Sequence, residues 1–190
     1  MIQHVLPVVV DELNDYLKSQ FNAVEDKAVL SGIIEQDGSL ALESTNKIVA
    51  TLIFIDKDST YKQSQGSALS GSRFLEFSPP VNVNLTVMFS ALFSKNHYME
   101  ALRYISGVIY FFQNKPLFTI QNTPKLERGT DKVHFDLLSV SPNDMMNFYS
   151  MLGVKYMPSV IYKMRMLTFS QDNIISDFPS VRGIDPSGNS

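Results

Sequence analysis

The fold is decided by residues 79–112, which read PPVNVNLTVMFSALFSKNHYMEALRYISGVIYFF. Apolar and polar residues alternate over 81–89, which is the period of a strand with one covered and one wetter face. After a short break, apolar residues recur three or four positions apart, as on one side of a helix: they are Tyr98, Ala101, Leu102, Ile105, Ile109 and Phe112. Asn96 is placed to cap this helix, and Lys115-Pro116 is placed to end it. The stretch therefore predicts a strand followed by an amphipathic helix.

Two further helices are predicted at either side of this stretch. The first has an apolar stripe of Ile2, Val5, Leu6, Val9, Leu13, Tyr16 and Leu17, with Asp11, Glu12, Asn14 and Lys18 outside it. Because proline fits best in the first turn of a helix, we expect the regular part to begin near Pro7. The other helix should begin at Ser141-Pro142-Asn143-Asp144, a capping serine followed by proline, and end at Gly153.

The remaining strands are predicted from β-branched runs and turn residues. Residues 29–34 and 40–43 flank Asp37-Gly38, a dipeptide typical of a hairpin turn. Further strands are expected at 48–55, 117–120, 133–137 and 159–169. Residues 59–72 are rich in Ser, Gln and Gly and predict a long loop, a candidate contact arm.

This pattern of elements predicts the fold class. Strands that follow one another without helical crossovers, together with three helices, favour an α+β domain whose helices pack on a mixed, largely antiparallel sheet. The 190 residues fit one domain of ordinary size. We expect that domain to span residues 1–169, followed by a polar C-terminal tail, residues 170–190, that serves as a contact arm.

Composition excludes several function classes. Sixteen Lys and Arg against nineteen Asp and Glu give a net charge of -3, so no basic surface for nucleic acid is expected. The absence of cysteine excludes thiol nucleophiles, disulfides and thiolate metal sites, and agrees with assembly in a reducing cytoplasm. The first residues lack the features of a secretory signal, and no apolar run approaches the about 18 residues that a membrane helix requires.

No arrangement typical of catalysis or of metal binding is found. His4, His97 and His134 lie on different predicted elements and lack partners at metal-ligand spacing. Residues 66–73 match the glycine spacing of a phosphate loop, but Ser72 stands where that motif needs lysine. We therefore predict no catalytic residue, no metal site and no cofactor.

The last third of the chain leaves two alternatives open. Six of the nine methionines are Met145, Met146, Met151, Met157, Met164 and Met166, and they indicate either an adaptable contact surface or an irregular core. On the final strand, Lys163 and Arg165 share one face. They either meet acidic residues of a neighbouring strand or are solvated.

Three groups of residues, read in order, resemble one known family. They are Pro79-Pro80-Val81, Asn84-Leu85 and Phe89-Ser90-Ala91; then Tyr98, Ala101-Leu102, Ile105-Ser106 and Phe111-Phe112-Gln113; then Leu152-Gly153, Lys155-Tyr156, Pro158-Ser159, Tyr162-Lys163 and Arg165. Their order and spacing, over residues 2–169, resemble the N-terminal domain of the cap protein of contractile injection systems. These are phage-tail-like particles of the antifeeding-prophage and virulence-cassette type.

The resemblance implies a tail terminator. In such a role a ring, expected to be a homohexamer, sits on the end of the inner tube and the contractile sheath and ends their polymerisation. The implied fold is similar to that of phage tail-completion and terminator proteins, without enzymatic activity, nucleic-acid partner or membrane insertion. The implied partners are further copies of the chain, sheath and inner-tube proteins, and other cap paralogues. Assembly is expected in the cytoplasm, in a particle that is either released or anchored to a membrane. Longer relatives carry an additional C-terminal region, so we expect a short form among several caps.

Interface residues are expected in the segments with reach and between residues 156 and 165. They are Ser59, Tyr61, Gln63, Ser70, Arg73, Tyr156, Pro158, Tyr162, Lys163, Arg165, Phe178 and Arg182. Two other functions stay open from the sequence. One is an adaptor that joins the tail end to a membrane anchor or to another cap paralogue. The more remote one is a small-molecule enzyme, which would need a deep pocket with converging polar groups.

Overall fold

The computed structural model describes residues 2–42, 45–58, 66–70, 73–77, 81–126, 132–169 and 174–179. Its helices are α1 (Ile2–Phe21), α2 (Tyr98–Asn114) and α3 (Pro142–Leu152). Its strands are β1 (Ala28–Leu30), β2 (Lys47–Lys57), β3 (Gly66–Ser70), β4 (Arg73–Phe77), β5 (Val81–Leu92), β6 (Leu117–Thr119), β7 (Lys132–Leu137), β8 (Ser159–Phe169) and β9 (Ile174–Pro179). Two compact units are formed, with boundaries between residues 57 and 58, 82 and 83, and 167 and 168.

The larger unit is built on a six-stranded sheet with the order β1-β2-β5-β8-β7-β6. β1 runs parallel to β2, whereas β2 with β5, β6 with β7, and β7 with β8 are antiparallel. The register places Ala50 opposite Phe89 and Phe135 opposite Met164. The predicted α+β fold with three helices and a mixed, largely antiparallel sheet is confirmed.

Helices cover both faces of this sheet. Along β5, Val87 and Phe89 join the apolar cluster that α1 and α2 bury, whereas Met88 joins a second cluster with Tyr149 of α3. Successive side chains of a strand point to opposite faces, so the two clusters lie on opposite sides of the sheet. Residues 84–91 are consequently all buried. The strand was predicted correctly, but its predicted wetter face is wrong.

α2 packs closely against α1. A Cβ atom on Gly107 would lie 2.6 Å from Cε2 of Phe21 and 2.8 Å from Cδ2 of Leu17, so the absence of a side chain permits this approach. The buried side of α2 consists of Ala101, Tyr104, Ile105, Gly107, Val108, Phe111 and Phe112. Tyr98 and Leu102, which the sequence placed on the apolar stripe, are exposed.

The start of α2 also differs from the prediction. Lys95–His97 form a single 3₁₀ turn, and His97 occupies the position before the helix. Asn96 lies inside that turn, so the prediction that it caps α2 is wrong. A 3₁₀ turn at a helix terminus is common because its tighter hydrogen bonds satisfy part of the unpaired backbone.

α1 begins at Ile2, five residues before Pro7, where the sequence predicted that its regular part begins. Pro7 lies inside the helix and forfeits the bond to the carbonyl of Gln3. Val5 and Leu6, however, are 0% and 5% exposed. Burying two such side chains contributes about 1.5–3 kcal/mol each, which offsets a cost of about 3 kcal/mol for proline.

Asn14 is buried as well, although the sequence placed it on the outer side of α1. Its Nδ2 donates to the carbonyl oxygen of Ala28 at 2.8 Å, and its Oδ1 accepts from the Ala28 N–H at 2.7 Å. The side-chain amide of Asn14 thus makes the two backbone hydrogen bonds to Ala28 that a neighbouring strand would otherwise make.

The predicted hairpin around Asp37-Gly38 is present only as a turn. Gly38 has a φ of 84°, which favours glycine, but a single antiparallel bridge joins Ile34 to Leu40. β1 pairs with β2 instead, and residues 40–42 form no strand of their own. Pairing with a long buried strand gives β1 a covered face that a short exposed hairpin lacks.

The smaller unit contains an antiparallel sheet with the order β3-β4-β9. Ser70 pairs with Arg73, and Phe74 pairs with Phe178. The prediction of a loop over 59–72 is therefore wrong for 66–70, because the β-forming run 73–77 provides a partner strand. Residues 59–65 and 71–72 lie outside the described part of the chain.

Candidate interaction surface

α3 is fixed at both ends by local sequence. The N–H of Asp144 donates to Oγ of Ser141 at 3.2 Å, Pro142 takes the first helical position, and Gly153 ends the helix with a φ of 67°. These are the capping features that the sequence predicted.

The outer side of α3 and the segment after it form an apolar surface. The exposed fractions are 64% for Met146, 59% for Met151 and 74% for Tyr156. Beside them lies a groove of about 480 Å³. It is lined by Pro142, Met145, Met146, Tyr149, Ser150, Val154 and Tyr156. We call Met146, Met151, Tyr156 and this groove the α3 surface.

Tyr149 holds the α3 surface to the sheet. Its hydroxyl donates to the carbonyl oxygen of Met157 at 2.5 Å and lies 2.9 Å from Oγ of Ser159. Ser159 in turn donates to Oγ of Ser90 on β5 at 3.0 Å. Burial raises the pKa of Tyr149, so the phenol stays protonated and remains a donor. The ring of Tyr156 contacts that of Tyr149 edge-on at 5.8 Å.

The methionines divide between the core and the surface of the larger unit. Met164 is fully buried in the larger cluster, and Met145 and Met157 pack against the smaller one. Met146 and Met151 are exposed on α3. Their clustering was the available signal for a contact surface, but only the orientation of α3 separates the surface methionines from the core ones.

Lys163 and Arg165 each meet a carboxylate, which decides between the two alternatives for this strand face. Nζ of Lys163 lies 2.9 Å from Oδ2 of Asp56 on β2, and Nε of Arg165 lies 2.8 Å from Oδ2 of Asp136 on β7. His134 lies 3.2 Å from the other oxygen of Asp136. Because these side chains are a quarter to a half exposed, each pair contributes at most about 1 kcal/mol.

Tyr162 lies in the core rather than on the surface, which corrects the expectation that its side chain is available to a partner. It is 3% exposed, and its ring centroid lies 4.4 Å from that of Phe112 and 5.9 Å from that of Phe89. Burial raises the pKa of Tyr162 to about 12.

The other expected interface residues are spread over both units. Tyr156 belongs to the α3 surface, and the carbonyl of Pro158 accepts from Ala91 N–H at 2.8 Å. Ser70, Arg73 and Phe178 lie on strands of the smaller sheet. Ser59, Tyr61, Gln63 and Arg182 lie outside the described residues. The set is therefore divided between the two units and residues outside the described ranges.

Within the described ranges, no three His, Asp or Glu side chains are close enough together to hold a metal ion. Of the helices given above, none has the length and apolar character needed to cross a membrane.

The solved structures that share this fold include two terminator or cap proteins. The first is the sheath/tube terminator, in the extended state, of an extracellular contractile injection system named PVC. It superposes with a TM-score of 0.66 at 16% identity, covering 100% of this chain and 64% of that one. The second is the tube-terminating cap of the anti-feeding prophage, with a TM-score of 0.58 at 14% identity, covering 94% of this chain and 60% of that one. The chain thus spans less than two thirds of each.

The sequence itself identifies the family of this chain. No curated protein matches the chain. The model of the Pvc16 N-terminal domain matches residues 4–182, which is most of the chain and takes in residues of both units. The chain therefore belongs to the Pvc16 N-terminal domain family.

Proposed function

We propose that this chain is a structural cap of a contractile injection system, which forms a ring on the end of the inner tube and sheath and ends their polymerisation. The observation that carries the proposal is the likeness of the whole chain to the PVC sheath/tube terminator. Membership of the Pvc16 N-terminal domain family supports it. The role is non-enzymatic.

The partners in this proposal are other copies of the chain and the last subunits of the tube and the sheath. The ring is a homohexamer, and other cap paralogues join it in the particle. A terminator must match the last layer of a polymer while failing to offer a seat for the next layer. Such a role needs different contact surfaces on one subunit.

Within one subunit, three regions supply these contacts. They are the α3 surface with residues 156–165, the segment 59–73 and the C-terminal segment 170–190 as a contact arm. Exposed methionine and tyrosine favour the α3 surface, because both residue types are enriched where proteins meet. Assembly takes place in the cytoplasm, in a particle that is then released or anchored.

Deletion of the gene for this chain tests the proposal. We expect particles of uncontrolled or unstable length by electron microscopy, and recovery of normal length when the gene is returned. Particles of normal, controlled length in the deletion strain would overturn the proposal. If length control is unchanged but the chain co-purifies with a membrane protein, an adaptor replaces the cap.

A further inference from the structure

The loop between α1 and β1 presents one aliphatic side chain to solvent. Val24 is 98% exposed, more than any other large apolar side chain within the described ranges. Asn22 has a φ of 52°, a left-handed conformation that asparagine tolerates and that turns the chain out of α1. We call residues 22–26 the Val24 loop.

The residues that follow Val24 are held in place by two lysines. Both carboxylate oxygens of Glu25 are paired, one with Nζ of Lys27 at 2.8 Å and the other with Nζ of Lys47 at 3.3 Å. Nζ of Lys47 also donates to the carbonyl oxygen of Asp26. A side chain carried by a braced loop loses little freedom when it binds, which favours its use as an anchor.

The groove of the α3 surface is the concave counterpart of this loop. Its volume is about 480 Å³, and its walls are apolar side chains of α3 and of the segment after it: Met145, Met146, Tyr149, Val154 and Tyr156. Methionine side chains are unbranched and flexible, so they adapt to the shape of what they cover. Val24 of the same chain is almost fully exposed and therefore does not fill this groove. A contact between two copies of the chain would cover both features at once.

The charges beside the two features are of opposite sign. In the Val24 loop, the side chains of Glu25 and Asp26 are 62% and 64% exposed. Those of Lys27 and Lys47 are only 14% and 16% exposed, so the loop turns its carboxylates outward. At the groove, Lys155 lies between the lining residues 154 and 156, is exposed, and has no ion-pair partner in the described part of the chain. The loop is thus acidic beside its aliphatic tip, and the groove carries a cation at its rim.

We propose that the Val24 loop of one copy of the chain binds the groove of the α3 surface of a second copy, with Val24 inside the groove and Lys155 beside the carboxylates of the loop. The inference rests on the proposed ring and names a contact that holds it together. A head-to-tail ring needs two different surfaces on each subunit, and the loop and the groove are such a pair. Val24 is an anchor within a larger interface, because a stable contact buries about 800 Å² on each partner.

Truncation of Val24 in the full chain tests the anchor. Because this side chain is almost entirely exposed in the single chain, Val24→Ala should leave the fold unchanged. We expect the dissociation constant for self-association, measured by sedimentation, to rise about tenfold as two methyl groups leave the interface. Met99→Ala, at a position 78% exposed on α2, is the matched control and should leave the constant unchanged. Equal constants for Val24→Ala and the unaltered chain would overturn the proposal.

Cysteine pairs test which surfaces meet, because the chain has no cysteine of its own. Chains with Val24→Cys are mixed with chains with Ser150→Cys, in which a thiol replaces a hydroxyl in the groove lining. A disulfide requires Cα atoms within about 7 Å, so oxidised glutathione should link the two chains, both in solution and on purified tube and sheath. Ser106→Cys, at an exposed position of α2, is the matched control and should give only the background yield. An equal yield from the two pairs would overturn the proposal.

Reversal of one charge tests how the loop is selected. Lys155→Glu places a carboxylate opposite those of Glu25 and Asp26, so we expect self-association about threefold weaker at low salt. The difference should disappear at about 1 M salt, where the Debye length is about 3 Å. Lys125→Glu, at an exposed position after β6, makes the same change in net charge and is the matched control. Equal weakening by the two variants would overturn the pairing of Lys155 with the loop.

The occupant of the groove separates this inference from the proposed function. A photo-crosslinker attached at Ser150→Cys, in chains bound to purified tube and sheath, should capture the Val24 loop of another copy. Capture of a tube or sheath subunit instead would overturn this inference, and the proposed function would stand. Rings formed by Val24→Ala as well as by the unaltered chain would have the same meaning. If the unaltered chain forms no ring even with purified tube and sheath, both fail.

Discussion

Tyr162 shows how burial of a single phenol links the core to pH. Its pKa of about 12 in the folded chain lies above the value of about 10 in the unfolded chain, because the buried site disfavours the phenolate. Below pH 10 this phenol is protonated in both the folded and the unfolded chain, so it adds no pH dependence to stability. Between pH 10 and pH 12 the unfolded chain loses this proton more readily, so stability falls as pH rises.

We expect Tyr162→Phe to remove this dependence. The free energy of unfolding of the unaltered chain should fall by about 2–3 kcal/mol more than that of the variant between pH 9 and pH 12. Urea titrations at intervals of half a pH unit measure the difference. Equal slopes for the two proteins would contradict the role of burial.

Asn14 illustrates why some residues escape sequence reasoning. Its spacing on α1 correctly placed it beside the apolar stripe, and a polar residue there is usually solvated. The partner that buries it is the backbone of Ala28, whose position depends on the pairing of β1 with β2. No pattern within α1 carries that information.

At the scale of elements, regular periodicity was the reliable guide. β5, α2 and β8 follow from the spacing of residues within each segment, and α3 follows from its capping residues. The start of α1 did not, because the cost of Pro7 is offset by contacts that Val5 and Leu6 make with other elements. Likewise, the carboxylates that meet Lys163 and Arg165 belong to β2 and β7, and no pattern within β8 identifies them.

The packing of α1 on α2 depends on a position without a side chain. Gly107→Ala should gain about 1 kcal/mol in helix propensity but lose about 1–3 kcal/mol through overpacking against Leu17 and Phe21. We therefore expect a net loss of stability, seen as a lower urea midpoint with an unchanged slope. Ser106→Ala, at the exposed neighbouring position, is the control and should not lower the midpoint. A Gly107→Ala chain as stable as that control would show that Phe21 moves aside without cost.

At the scale of the molecule, the two faces of the larger sheet differ in what their helices leave exposed. α1 and α2 bury the larger cluster, whereas α3 buries a smaller one and, with the segment that follows it, leaves two methionines and a tyrosine exposed. Exposed side chains of this kind add little to folding, because they lie in water in the isolated chain. Their contribution is expected only when another protein covers them.

This difference separates folding from assembly in an experiment. Met146→Gln with Met151→Gln should change the free energy of unfolding by less than about 0.5 kcal/mol, since both positions are more than half exposed. The same double variant should reduce the fraction of particles that carry a cap, counted by electron microscopy after complementation of the deletion strain. Met99→Gln is the matched control, because Met99 is 78% exposed on α2, outside the α3 surface. Normal capping by the double variant, or an equal defect in the Met99 variant, would show that the α3 surface has no special part in assembly.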